Sequence, residues 1–128
     1  MDKEIVFTKQ APAPIGPYSQ GVKVKGFIFT AGQIALKADE TLVERGAGAQ
    51  ARQVMMNLQA VLRAGGADLS DVVKTTIFLA DMGDFGPVNE IYGSYFAAEP
   101  PARVTVQAAA LPRGALIEID AIAVVAKT

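Results

Sequence analysis

The first third of the chain carries short apolar runs separated by turn residues, a pattern typical of β-strands. Residues 5–8 predict a first strand. The runs at 21–24 and 27–31 are rich in β-branched and aromatic residues, and only Lys25 and Gly26 separate them, which predicts a tight hairpin. We therefore expect three strands before the first helix.

The apolar spacing changes to a helical period between residues 47 and 64. Gly65 and Gly66 follow this segment and are expected to end the helix, because glycine tolerates the backbone conformation after a last turn. Arg52, Asn57 and Gln59 are predicted to lie off the buried face. That face is predicted to consist of Ala51, Val54, Met55, Leu58, Val61 and Leu62.

The next segments predict a central strand and a second helix. Residues 71–80 are dense in β-branched side chains and predict the strand. A helix is expected from about Asp84, with Pro87 tolerated in its first turn, until Glu99 and the prolines after it. Its apolar face is predicted to hold Val88, Ile91, Tyr92, Tyr95 and Phe96.

Two further strands, at 103–108 and 116–126, close a single α+β domain spanning residues 1–128. If the turn at 111–114 joins them as a hairpin, Thr105 and Glu118 face each other. Two helices cover only one face of a sheet of about six strands. The last strand places Glu118, Asp120, Ile122 and Val124 on the other face. A face that mixes carboxylates with valine and isoleucine predicts burial in a symmetric oligomer, whose subunit number stays open.

The amino-acid composition excludes several kinds of catalytic site and binding partner. The 128 residues include no histidine and no cysteine, which excludes the usual zinc sites, Ser-His and Cys-His nucleophile pairs and disulfides. Only carboxylates, lysine, tyrosine or water then remain to act as general acid or base. No metal or cofactor is expected. A net charge of −1 argues against a nucleic-acid partner. No apolar run approaches a membrane span, so a cytoplasmic protein without a membrane partner is expected.

Arg103, Thr105 and Glu118 are the strongest candidates for chemistry. A guanidinium engages both oxygens of a carboxylate, and a nearby glutamate can polarise a water molecule. The alternative interpretation is a surface arginine and a solvated glutamate, and spacing alone favours it. Tyr18 either lines a pocket or pins its loop to the sheet. The simplest structural interpretation of Gly32 is that it ends a strand, and that of Asn89 is an exposed residue of the second helix.

Seven blocks of the sequence, in order, resemble the RidA (YjgF-like) family of reactive-intermediate deaminases. The resemblance spans nearly the whole chain. The blocks are residues 16–21 (GPYSQG), 30–34 (TAGQI), 57–58 with 64–66 (NL, AGG), 72–76 (VVKTT), 88–89 with Tyr92 (VN), 101–103 (PAR) and 111–119 (LPRGALIEI).

This resemblance implies a chorismate-mutase-like α+β fold: a mixed six-stranded sheet with two helices on one face, assembled as a homotrimer with clefts between subunits. It also implies a 2-iminobutanoate/2-iminopropanoate deaminase-type hydrolase. Such enzymes convert enamines and imines, such as 2-aminoacrylate, to 2-keto acids and ammonia.

The family pattern also suggests roles for individual residues. Arg103 would hold the substrate carboxylate and Glu118 would position or activate water. The cleft would be lined by Tyr18, Gly32, Asn89 and Thr105. Many relatives have cysteine or serine where this chain has Thr105, so a thiol is not essential here.

Two alternatives to an imine deaminase stay open at this stage. The first is a non-catalytic module of the same family that binds a small carboxylate or regulates a partner. The second is an endoribonuclease, which the acidic balance and the missing histidine make the weaker alternative.

Overall fold

Six strands and two helices follow one another in the order that the apolar pattern predicts. The computed structural model describes residues 2–125. The strands are β1 (Lys3–Val6), β2 (Gly21–Val24), β3 (Phe27–Thr30), β4 (Val72–Leu79), β5 (Ala102–Gln107) and β6 (Ile117–Val124). The helices are α1 (Ala47–Ala64) and α2 (Phe85–Tyr95), and single 3₁₀ turns occur at Leu69–Asp71, Met82–Asp84 and Pro112–Gly114.

Local signals placed the boundaries of most strands within one or two residues, and β1 lies two residues earlier than the predicted 5–8. Helix α1 has the predicted bounds, and Gly66 leaves it with φ 92°. Lys25 (φ 50°) and Gly26 (φ 81°) form the predicted hairpin turn, whose twist matches that of the strands it joins. The end of the last strand predicted at Ala126 lies outside the described residues.

Helix α2 ends earlier than predicted, at Tyr95 instead of Glu99. Phe96 already has a non-helical backbone (φ −129°, ψ 59°). Its ring packs on Tyr92, with 4.8 Å between the ring centroids, and is buried. The helix thus ends where Phe96 packs into the core, before the chain reaches Pro100 and Pro101.

The sheet has the strand order β1-β2-β3-β6-β4-β5. All neighbouring strands are antiparallel except β4 and β5, which are parallel, so the sheet is mixed. The expected β5–β6 hairpin is therefore wrong: α2 connects β4 to β5 as a crossover, and the chain then returns past β4 to add β6 on its other side.

Both helices lie on one face of the sheet, and the core fills the space between these layers. The buried side chains of this face alternate along β4 and β6, as in Ile77, Leu79, Ile117 and Ile119. The predicted apolar face of α1 is fully buried.

Asn57 corrects the prediction for α1, because it is buried instead of lying off the covered face. Its side-chain amide donates to the carbonyl oxygens of Ile34 (3.2 Å) and Leu36 (2.8 Å). The segment that follows β3 crosses this side of the helix and covers it.

The opposite face of the sheet, called here the open face, carries no helix. Glu118, Asp120 and Ile122 are half-buried along its β6 row. Large apolar side chains on this face are exposed in the single chain: Phe27, Phe29, Val104, Val106 and Val124. Within the described range, neither helix is both long and apolar enough to cross a bilayer.

Candidate functional site

A cavity of about 330 Å³ opens beside Glu118 where β3 ends. We call it the Glu118 pocket. Glu118 is the one charged side chain among its lining residues, which are otherwise mostly apolar. The lining consists of Pro12, Ala13, Ile15, Tyr18, Gln20, Ala31, Gly32, Gln33, Ile34, Leu36, Pro112 and Glu118.

Gly32 makes room for the Glu118 carboxylate. A Cβ atom at Gly32 would overlap Oε2 of Glu118 and would lie 2.9 Å from its Cδ. The backbone of Gln33 exchanges hydrogen bonds with that of Ile119, at 2.8 and 3.1 Å, and so holds Gly32 against this part of β6. Gly32 therefore does more than end a strand, because a side chain here would displace the carboxylate.

The environment of Glu118 makes its carboxyl group a weaker acid than an ordinary glutamate. Burial raises the pKa of its carboxyl group, and the charge of Asp120, two residues along the same face, raises it further. Burial also raises the pKa of Asp120, although hydrogen bonds from Thr76 and the charge of Lys74 oppose this shift. A carboxylate whose pKa is raised is a stronger base than an ordinary glutamate, which favours its use in proton transfer.

Tyr18 forms part of the pocket wall and is half exposed. The backbone N–H of Ile15 donates to its hydroxyl at 3.4 Å, and its own N–H donates to the carbonyl oxygen of Gly16 at 2.8 Å. The ring thus braces its own loop and also presents a surface to the cavity, which combines the two interpretations left open by the sequence.

Gln20 is a pocket residue that the sequence did not single out. It is 1% exposed, and its amide donates to the carbonyl oxygens of Thr8 (3.0 Å) and Pro12 (2.8 Å). Its Oε1 accepts from the N–H of Thr8 at 2.7 Å. These bonds fix the proline-rich wall; the only signal in the sequence was a glutamine directly before an apolar strand.

A second group of candidate residues gathers between β5 and α2, and we call it the Arg103 face. The guanidinium carbon of Arg103 lies 5.4 Å from the ring centroid of Phe85 and 5.1 Å from that of Tyr92. In the part of the chain that the structure describes, Arg103 forms no ion pair with a carboxylate. Asn89 lies between Phe85 and Tyr92 on the same stripe of α2.

Thr105 lies two residues beyond Arg103 on the same face of β5. Its Oγ1 is buried and has no hydrogen-bond partner within residues 2–125. Buried hydroxyl groups normally have a partner, so the described part of the chain leaves the hydrogen-bonding capacity of this oxygen unused.

The two groups of residues lie on opposite faces of the sheet. Ile77 of β4 stands opposite Thr105 on one side and opposite Ile119 on the other, which places all three on the helix-covered face. Glu118 stands opposite Phe78 and therefore belongs to the open face. The expected contact of Glu118 with Thr105 and Arg103 within one chain is wrong, because β4 separates their strands.

Potential metal ligands are dispersed. Among the residues that the structure describes, no three acidic side chains gather in a geometry that could hold a metal ion.

Comparison with known sequences shows a match over almost the entire chain. Residues 8–125 match the family model described as Endoribonuclease L-PSP. The mouse protein named 2-iminobutanoate/2-iminopropanoate deaminase is 50% identical over 123 residues, which cover 95% of this chain and 91% of the mouse protein.

Solved structures show the same fold. The crystal structure of YEO7_yeast, from yeast, superposes with a TM-score of 0.96 at 41% identity and covers 98% of this chain and 100% of its own. The structure of E. coli TdcF with bound serine gives a TM-score of 0.92 at 38% identity, covering 96% of this chain and 99% of its own.

Proposed function

Because the chain belongs to the RidA (YjgF-like) family, we propose that it hydrolyses 2-imino acids and their enamine tautomers to 2-keto acids and ammonia. The observation that carries this proposal is the Arg103 guanidinium, which lies against two aromatic rings without a carboxylate partner in the described residues. A planar cation left free in this way suits the carboxylate of a small organic acid. The serine bound in E. coli TdcF is a molecule of this kind.

The proposed site combines surfaces of two copies of the chain. Arg103, Thr105 and Asn89 of one copy would face Tyr18, Gly32 and Glu118 of the next. This arrangement is supported by the position of the two groups on opposite faces of one sheet and by the exposed apolar residues of the open face.

Closed symmetry, either a two-fold dimer or a ring, lets every copy make this contact. We propose a homotrimer with three clefts, in the chorismate-mutase-like arrangement that the family resemblance implies. Burial of the open face between copies would remove its apolar side chains from water and stabilise the ring.

The reaction needs orientation and a proton carrier. Arg103 holds the substrate carboxylate, and the Thr105 hydroxyl donates a second hydrogen bond to it. The ionised Glu118 takes a proton from water as the water oxygen attacks the C=N carbon of the protonated imine, and the neutral carbinolamine forms. Glu118 gives this proton to the nitrogen, the C–N bond breaks and ammonia leaves. Glu118 then takes the hydroxyl proton as the carbonyl of the keto acid forms, and this proton is released with ammonia as ammonium.

The environment of Glu118 fits this double role, because burial and Asp120 raise its pKa above the usual value. The remaining residues would line the cleft: Tyr18 and Gly32 beside Glu118, and Asn89 between Phe85 and Tyr92 on α2. The proposal places this reaction in the cytoplasm and requires no metal, cofactor, membrane or nucleic acid. The net charge of −1 and the carboxylate in the pocket are unfavourable to a polyanion such as RNA.

A coupled assay tests the function. A serine or threonine dehydratase releases the enamine, and semicarbazide traps the imine before it hydrolyses spontaneously. Added protein is expected to increase keto-acid release and to decrease semicarbazone formation. Keto-acid release that stays at the spontaneous rate at all protein concentrations would contradict the proposal.

Replacement of Arg103 by lysine tests the role of its guanidinium in the same assay. We expect Arg103→Lys to lose most of the activity, because an ammonium group cannot engage both carboxylate oxygens in a planar fork. A fully active lysine variant would contradict the proposed role of Arg103.

A further inference from the structure

The guanidinium of Arg103 lies over two aromatic rings of α2. Its central carbon is 5.1 Å from the centroid of the Tyr92 ring and 5.4 Å from that of the Phe85 ring. Both distances fall within the range in which a cation is attracted to the face of an aromatic ring. Phe85 and Tyr92 are called here the aromatic pair.

The sequence of α2 places the aromatic pair on one side of the helix. The two residues are seven positions apart, which is about two helical turns, so they lie on the same stripe. Asn89 stands between them on this stripe, and the stripe faces β5. Arg103 therefore lies beneath one continuous row of side chains.

Tyr92 is fixed by contacts of its own. Its hydroxyl forms a 2.7 Å hydrogen bond with the Thr75 hydroxyl, and its ring packs on Phe96. Tyr92 is 5% exposed. Phe85, at the first position of α2, is 38% exposed and forms the outer part of the pair. A buried ring and a more exposed ring thus hold the guanidinium near the surface.

Aromatic rings attract the guanidinium without using up its N–H groups. A carboxylate partner would occupy those donors, whereas a ring contacts the flat face and leaves the edge free. An arginine side chain that is already ordered loses less conformational freedom when it binds a ligand. The rings therefore favour binding in two ways.

We infer that Phe85 and Tyr92 are positioning residues, which orient Arg103 so that its N–H edge is ready for the substrate carboxylate. This inference rests on the proposed function, since it assigns a task to the same arginine. The rings act through Arg103 and do not take part in proton transfer.

The test compares Phe85→Leu with Phe85→Tyr in the full-length protein. Leucine keeps an apolar side chain but removes the ring, and we expect KM for the imine to rise about tenfold, with kcat changed less than about twofold. The dissociation constant of pyruvate, measured by calorimetry, is expected to rise by the same factor. Tyrosine restores a ring and is expected to restore both values.

Tyr95→Leu is the matched control, because Tyr95 is another aromatic residue of α2 and has no cation–ring contact with Arg103. We expect it to leave KM and pyruvate affinity unchanged. Melting temperatures of all variants report any general loss of structure. A Phe85→Leu protein that keeps its KM and pyruvate affinity, or that loses only kcat, overturns the inference.

Pyruvate binding separates this inference from the proposed function. If the wild-type protein binds pyruvate through Arg103 but does not hydrolyse imines, the proposed function fails, while a weaker pyruvate affinity of Phe85→Leu still supports the positioning role. If the wild-type protein neither binds pyruvate nor hydrolyses imines, both are overturned.

Discussion

Asp120 lies two residues from Glu118 on the same face of β6, and its charge adds to the effect of burial in raising the pKa of Glu118. Removal of the Asp120 charge by Asp120→Asn is expected to lower the pKa of Glu118. In the proposed reaction Glu118 acts first as a base and must be ionised, so activity is expected to be lost when the pH falls through its pKa. The acidic limb of the pH profile of kcat/KM is therefore expected to move to lower pH.

Asp39→Asn serves as the control for this shift, because Asp39 lies on an exposed turn, where it accepts hydrogen bonds from Thr41. Its profile is expected to match that of the wild-type protein. An acidic limb that stays in place in Asp120→Asn, or moves to higher pH, would show that Asp120 does not influence the group that titrates there, against the role proposed for Glu118.

Gly32 provides the space that the Glu118 carboxylate occupies. Gly32→Ala places a methyl group in that space, and the carboxylate must move by about 1 Å or more. We expect kcat to fall about 10- to 100-fold, since misplacement on this scale disrupts reactive geometry. Gly93→Ala, whose new methyl group would meet nothing within 4 Å, is expected to keep full activity. Equal activities of the two variants in the coupled assay would exclude a spatial role for Gly32.

Residue chemistry made Arg103 and Glu118 candidates, but spacing alone favoured a surface arginine and a solvated glutamate among the 13 carboxylates of the chain. The family resemblance supplied the roles proposed for these two residues. The sequence could not show that Thr105 has an unpartnered hydroxyl or that Gln20 holds the pocket wall. Both facts depend on which groups the folded chain brings near, and residue type does not determine this.

Among the elements, those governed by local signals were predictable. The bounds of α1 follow from its apolar period and two glycines, and the β2–β3 turn follows from Lys25 and Gly26. The pairing of β5 and β6 was not predictable in this way. It depends on the α2 crossover, which brings β5 alongside β4, and on the competition between partners that are distant in sequence.

Asn57 ties α1 to the segment that leads from β3 into the pocket wall. Asn57→Leu removes both hydrogen bonds that the Asn57 amide donates to this segment and leaves the Leu36 carbonyl oxygen without its amide donor, while the Ile34 carbonyl still accepts from the N–H of Leu36. We expect a loss of about 2 kcal/mol in the free energy of unfolding. Urea denaturation at a fixed protein concentration measures it. Gln53→Ala, which removes only a half-buried donor to Asn57, is expected to cost much less. Similar losses for both variants would contradict this role of Asn57.

At the scale of the whole molecule, the open face carries apolar side chains that a single chain does not cover. Phe29 is exposed on this face between Val22 of β2 and Ile122 of β6. Phe29→Lys is expected to leave the folded chain intact and to dissociate the proposed trimer into monomers, because a charge replaces the apolar contact. Sedimentation velocity measures the change.

Met56→Lys is the control, since Met56 is an exposed apolar residue of α1, on the helical side of the molecule. It is expected to sediment like the wild-type protein. If Phe29→Lys keeps the wild-type sedimentation coefficient, the open face is not the surface that joins the copies.

The central claim is that Arg103 of one copy and Glu118 of another act on the same substrate. Arg103→Ala and Glu118→Gln are each expected to be inactive alone. After the two variants are unfolded, mixed in equal amounts and refolded together, about a quarter of the clefts in randomly assembled trimers combine both native residues. We therefore predict recovery of about a quarter of wild-type activity in the coupled assay. A mixture that forms mixed trimers and stays as inactive as its components would contradict a site shared between copies.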